Sequence, residues 1–228
     1  MRRSLIALVL ALATGATAPA RAASVCYGTP ERGRLEQGVP LPVAGPNFEA
    51  YALLGRRLGR TYVHSEVRDI AVEAYARLEQ TAPGTRFVYG ETGFAAGGAF
   101  PPHKTHRNGL SVDFMVPVRR GGRSMPLPAT AFNRYGYDLE FDRRGRLGAY
   151  AIDFEAIGRH LLALDRAAAA RGHAIRRVIF DVPLQGELAQ TPSGAVAMHG
   201  IALSQSASWV RHDEHYHVDF AVACEAMR

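Results

Sequence analysis

Leu110, Val112, Phe114 and Val116 alternate with Ser111, Asp113 and Met115. That period of two predicts a strand whose successive side chains leave opposite faces. Near the C-terminus, His215 and His217 stand two apart at the head of an apolar run, so a strand there places both imidazoles on one face. Residues 60–64, 86–89 and 175–181 predict three further strands, the last centred on Val178, Ile179 and Phe180. Helical spacing takes over at Val67, Ile70, Ala71, Ala74, Tyr75 and Leu78, with Ser65 as the expected N-cap and Pro83-Gly84 as the stop. A second helix is predicted from an Asp153 cap to Arg171, with Phe154, Ile157, Leu161, Leu162 and Leu164 apolar and Gly172 ending it. His160 on that helix reads as a surface residue.

Between these elements the periodicity breaks. Residues 29–47 hold four prolines and predict an extended arm lying on the domain surface. Residues 48–58 predict a short helix or turn, 119–123 a solvated turn, 137–152 a hairpin, and 182–208 mixed loop and short helix in which His199 has no evident partner. Residues 90–102, with four glycines and two prolines, predict a shaped loop. It lacks the Gly-Lys-Ser/Thr ending and following helix of a phosphate cradle. The expected fold is α+β, a single domain with a central, mainly antiparallel sheet flanked by helices and long loops.

Composition changes this picture at the ends of the chain. Met1-Arg2-Arg3-Ser4, the apolar run 5–13 and Ala20-Arg21-Ala22 read as an export signal over residues 1–22, cleaved near Ala22. Val25 ahead of Cys26 is not the small residue of a lipoprotein acceptor. Removal of the signal takes away Arg2, Arg3 and Arg21, lowering the formal charge from +6 to +3 and leaving no stable membrane insertion. No dense Lys/Arg stripe with interleaved aromatics remains, which argues against nucleic acid as a partner. Residues 23–228 are long enough for one domain with a substantial core. The only two cysteines, Cys26 and Cys224, are expected to pair in an oxidising compartment, worth about 4 kcal/mol in the chain-entropy model.

The candidate chemistry lies in two blocks. His103-Lys104-Thr105-His106-Arg107-Asn108-Gly109 precedes the strand carrying Asp113, and its Asn108-Gly109 turn brings His106 back beside that carboxylate. A lone carboxylate in mid-strand is costly unless paired or metal-bound. Two histidines and one carboxylate, His106, Asp113 and His217, make a set suited to one Zn2+ per chain with a position left open to water. His215 shares the face of His217 and is placed to act as base, with His103 and His212 around the same opening to orient water or stabilise developing charge.

These blocks resemble the superfamily of lysostaphin-type enzymes, D-alanyl-D-alanine peptidases and the hedgehog domain. More narrowly, Gly90-Glu91, Gly97-Gly98, the 103–110 segment and His212-Asp213-Glu214-His215-Tyr216-His217 resemble the penicillin-insensitive murein endopeptidases. The resemblance implies a periplasmic zinc endopeptidase acting on peptidoglycan stem peptides at the D-alanyl to diaminopimelate cross-link. It implies His106, Asp113 and His217 as ligands, His215 as catalytic base, and His103 and His212 as supporting histidines. Glu214 stands where carboxypeptidase and dipeptidase relatives carry a catalytic glutamate, so either Glu214 or His215 could take the water proton. Two alternatives stay open: a D,D-carboxypeptidase or dipeptidase using Lys104 or Arg107 to hold a terminal carboxylate, and a non-catalytic, zinc-stabilised peptidoglycan-binding module.

Overall fold

The computed structural model describes residues 23–206, 208 and 210–227, so the export signal expected over 1–22 lies outside the described residues, as does Trp209. The described chain opens with β1 (Val25–Thr29), β2 (Arg32–Glu36), β3 (Val39–Pro40), β4 (Phe48–Ala50) and α1 (Leu53–Arg57). Next come β5 (Tyr62–Val63), α2 (Ser65–Thr81), β6 (Phe87–Tyr89) and β7 (Ser111–Met115). Then follow β8 (Val118–Arg120), β9 (Arg123–Met125), a 3₁₀ turn (Ala131–Gly136), β10 (Arg146–Leu147) and β11 (Tyr150–Ile152). The last part holds α3 (Phe154–Ala169), β12 (Ala174–Ile179), α4 (Val182–Ala189), α5 (Pro192–Gly200) and β13 (His215–Ala221).

The central sheet has the order β12-β13-β7-β6-β4, antiparallel except where β4 runs parallel to β6. Its two faces have different work. Val178, Val112, Phe114, Tyr216, Val218 and Phe220 belong to the buried apolar core. On this face Phe114 meets Tyr75 of α2 and His160 of α3, with ring centroids 6.4 and 4.6 Å apart. Full burial of Phe114, Val218 and Phe220 contributes about 1.5–3 kcal/mol each. The opposite face carries His215, His217 and Asp219 on β13 beside Asp113 and Ser111 on β7, in register. Both strands are thus buried on both sides, the second side by polar groups that hold one another.

His160, expected at the surface, is fully buried and corrects that reading. It bonds the Tyr216 hydroxyl through Nδ1, and burial pushes its pKa down to about 3, so it sits in the core as a neutral ring. The first helix is capped by His64, whose Nδ1 accepts from Glu66 N–H at 3.2 Å, rather than by Ser65. The second helix keeps its Asp153 cap, which accepts from Ala156 N–H at 3.1 Å.

Residues 29–47 are not a loose arm. Pro30 and Glu31 turn β1 back on β2 as a hairpin, and Leu35, Val39 and Leu41 are buried. Leu35 N–H donates to Ala96 O at 2.9 Å and Leu41 N–H to Thr61 O at 2.9 Å, so the prolines restrict pairing without freeing the segment. The hairpin in residues 137–152 is shorter than expected, β10 with β11 only, because Tyr137 turns inward and its hydroxyl is used elsewhere. Residues 119–123 are the turn of the β8–β9 hairpin, with Gly121 and Gly122 both at positive φ. Residues 182–208 contain two helices, and Pro192 beside the Thr191 cap starts the second.

Cys26 and Cys224 are disulfide-bonded across a separation of 198 residues, tying β1 to the segment after β13. Gly28 N–H to Glu225 O and Glu225 N–H to Cys26 O, both 2.9 Å, complete the seam. Replacing both cysteines by serine is expected to cost about 2–5 kcal/mol in urea unfolding. An unchanged midpoint would show the seam holds without the bond.

Candidate metal centre

Asp113 is the hub of the polar face. It is fully buried at the middle of β7, and five side chains converge on its carboxylate. His217 Nδ1 lies 2.9 Å from Oδ1 and His106 Nε2 lies 3.2 Å from the same oxygen. The Tyr137 hydroxyl donates to Oδ2 at 3.0 Å, with His215 Nε2 at 3.8 Å and His103 Nδ1 at 3.9 Å. Burial works against ionising Asp113, but the imidazoles of His106 and His215 hold its carboxyl well below the usual carboxylate range. His103, His106 and Asp113 can each offer one ligand atom within 4.8 Å of the others.

Local structure explains how each donor is aimed. His106 adopts φ 65°, a left-handed conformation that histidine tolerates better than most residues and that recurs at functional sites. Its Nδ1–H donates to Thr92 O at 3.0 Å, which fixes the tautomer and leaves Nε2 as a lone pair. That Nε2 is buried and has no hydrogen-bond partner among the described residues, although it faces Asp113 Oδ1. Two acceptors facing each other at 3.2 Å repel unless a cation lies between them. Ligands 2.0–2.2 Å from one tetrahedral zinc are separated by roughly 3–3.5 Å, the spacing found here. The donor set therefore fits zinc.

His217 is held from both sides, by Asp113 at Nδ1 and by Asp219 Oδ1 at Nε2, 2.8 Å away. Burial alone lowers its pKa, but the two carboxylates raise it to about 10 in the metal-free chain. His103 contacts Glu91 Oε2 through Nε2 at 2.6 Å. Burial raises the Glu91 carboxyl, yet its bonds to Arg60 and His103 overcome this and hold it at about 2. Arg60 bonds both Glu91 oxygens and Tyr51 donates to Oε1 at 2.9 Å.

Glu214 and His215 are neighbours that strand alternation would send to opposite faces. Glu214 precedes β13, however, and its Oε1 lies 2.8 Å from His215 Nδ1, so both side chains line the cleft. The two candidates for the base thus form one pair, with the carboxyl behind the ring. Burial pushes Glu214 up to about 8 and His215 down to about 4. The His212 ring lies tilted against His215 with centroids 4.6 Å apart, donates Nδ1–H to Val210 O at 3.0 Å, and is lowered by burial and by His215 to about 3.

Four residues of this assembly carry no local sequence signal of their role: Tyr137, Arg60, Asp219 and Arg177. Tyr137 is the most consequential, since its hydroxyl accepts from Glu91 N–H at 2.8 Å while donating to Asp113. Gly90 makes room for it, because a Cβ there would lie 2.5 Å from the Tyr137 oxygen. Gly90→Ala is expected to displace Tyr137, cost about 1–3 kcal/mol in stability and lower turnover. Denaturation and rate measurements on that variant check this, and wild-type values in both would contradict it.

His103, Glu214, His215 and His217 line a cleft of about 950 Å³ whose wall includes Leu54, Leu58 and Tyr135 and which extends to Glu31 and Arg177. No helix among the described residues is long and apolar enough to cross a membrane. No curated protein matches the chain. A family model described as penicillin-insensitive murein endopeptidase matches residues 26–227, a span that takes in the disulfide and every residue of the cluster. The chain belongs to the penicillin-insensitive murein endopeptidase family and is a peptidase that acts on peptidoglycan.

Proposed function

We propose that residues 23–228 form a periplasmic zinc endopeptidase, exported by a signal over 1–22, that hydrolyses the D-alanyl to diaminopimelate cross-link between stem peptides. The observation that carries this reading is the orphaned His106 Nε2, aimed at a carboxylate oxygen that His217 also faces. His106, Asp113 and His217 would hold the ion, with His103, which can offer a ring nitrogen within 4.8 Å of the donors of His106 and Asp113, beside them. Bound zinc supplies an electrophile that activates water and polarises the scissile carbonyl.

The chain's own groups do the rest. His215, with Nδ1–H donated to Glu214, presents Nε2 to the site and takes the proton of the attacking water. The same ring then returns a proton to the departing diaminopimelate amine. With Nδ1–H held by Val210 O, His212 presents Nε2 as an acceptor that orients the attacking water, and His103, held through Nε2 by Glu91, lies beside the ligands on the other side. Glu91, Arg60 and Tyr137 keep His103 and Asp113 in place.

The size of the cleft favours a cross-linked substrate over a dipeptide. About 950 Å³ is at the upper end of the roughly 300–1,000 Å³ found for pockets that enclose a drug-sized ligand. Lys104 lines the cleft, which keeps the carboxypeptidase alternative testable. Purified protein should contain one zinc per chain, lose hydrolysis of a cross-linked peptide dimer on chelation and regain it with zinc. Release of free D-alanine alone, with the dimer intact, would favour the carboxypeptidase; full activity without metal would remove the zinc role.

A further inference from the structure

Three adjacent strands set one residue each at the same register level beside the ligands. Arg177 on β12 pairs with Asp219 on β13, and Asp219 pairs with Ser111 on β7. One step along, the same strands align Ile179, His217 and Asp113. The Asp219 carboxylate is fully buried and its two oxygens are divided between two tasks. Oδ1 accepts from the Ser111 hydroxyl at 2.6 Å and faces His217 Nε2 at 2.8 Å. Oδ2 accepts from Arg177 Nε at 3.1 Å and from Nη2 at 2.5 Å. With both oxygens engaged, the carboxylate is fixed against rotation.

Arg177 is fixed in turn. Its Nη2 reaches Glu31 Oε1 at 3.1 Å, in the turn between β1 and β2, so the clamp extends to the hairpin held by the disulfide. We infer that Asp219, clamped by Ser111 and Arg177, is a positioning residue that fixes His217 with Nε2 protonated and Nδ1 turned toward the metal. This rests on the zinc reading above. A ligand imidazole backed by a carboxylate is held in one tautomer and made more basic, and loss of such a partner typically weakens metal binding by roughly 10- to 100-fold. The alternative is a buried ion pair that only stabilises the sheet, in which case zinc affinity would not depend on it.

Competition of full-length mature protein with a chromophoric chelator for zinc distinguishes the two. Asp219→Asn keeps the shape but removes the charge, and its zinc dissociation constant should rise by roughly 10- to 100-fold. In metal-free protein the His217 Nε2–H proton resonance should move upfield in the same variant, a change that needs no activity measurement. Should Asp219→Asn fail to fold, Ser111→Ala removes one donor to the clamp and should weaken zinc binding in the same direction by less. Wild-type zinc affinity in whichever variant folds would overturn the positioning role and leave the zinc reading intact. A wild-type chain that binds no zinc would instead overturn that reading, and the positioning role with it.

Discussion

His217→Ala is expected to lose both bound zinc and hydrolysis. The substitution removes one of the three proposed ligands and leaves Asp113 and Asp219 facing the space between them without the imidazole that bonds both. Loss of a ligand should exceed the roughly 10- to 100-fold weakening that an outer partner's loss produces. Breaking a buried charged pair by deleting one member costs about 3–5 kcal/mol, so the metal-free variant should also unfold at lower denaturant concentration. Metal analysis, turnover and urea unfolding read the three effects separately. Retention of stoichiometric zinc would mean that His103, already within reach of His106 and Asp113, takes the third position.

His215→Ala should separate binding from chemistry. Its Nε2 lies 3.8 Å from Asp113 Oδ2, the longer side of the cluster, and its Nδ1 is engaged by Glu214. On the proposed reading the ring contributes proton transfer rather than coordination. The variant is expected to keep one zinc per chain while kcat falls by roughly 10²- to 10⁴-fold, the usual contribution of a positioned general base. Glu214→Gln should cost less, because the ring remains and only the group behind it changes. If His215→Ala keeps full turnover and Glu214→Gln loses it, the carboxylate is the base and the imidazole supports it.

The site was more legible in the sequence than the segments around it. His215 and His217 share a face because strand side chains repeat every two residues, and the Asn108-Gly109 turn returns His106 to Asp113; both inferences need only local geometry. Tyr137 and Arg60 meet Asp113 and Glu91 from distant segments, and no local pattern encodes such contacts. Arg177 and Asp219 depend on cross-strand register, which is set by which strands pair rather than by either strand alone. His160 is a different case. It falls three residues after Ile157 and four before Leu164, on the apolar stripe of α3, so its burial was available from spacing. The 29–47 segment was obscured by its prolines, which interrupt pairing while Leu35, Val39 and Leu41 still reach the core. Glu214 escaped the alternation argument because the strand begins one residue later.

The central claim is that this chain opens peptide cross-links with a metal held at Asp113. Mass analysis of cross-linked muropeptide dimers incubated with the mature protein tests it most directly. Monomers summing to the dimer plus one water, with the cut between D-alanine and diaminopimelate, abolished by chelator and restored by zinc, are the result the account predicts. Dimers that persist with zinc present, or a cut that proceeds unchanged in chelator, would contradict it.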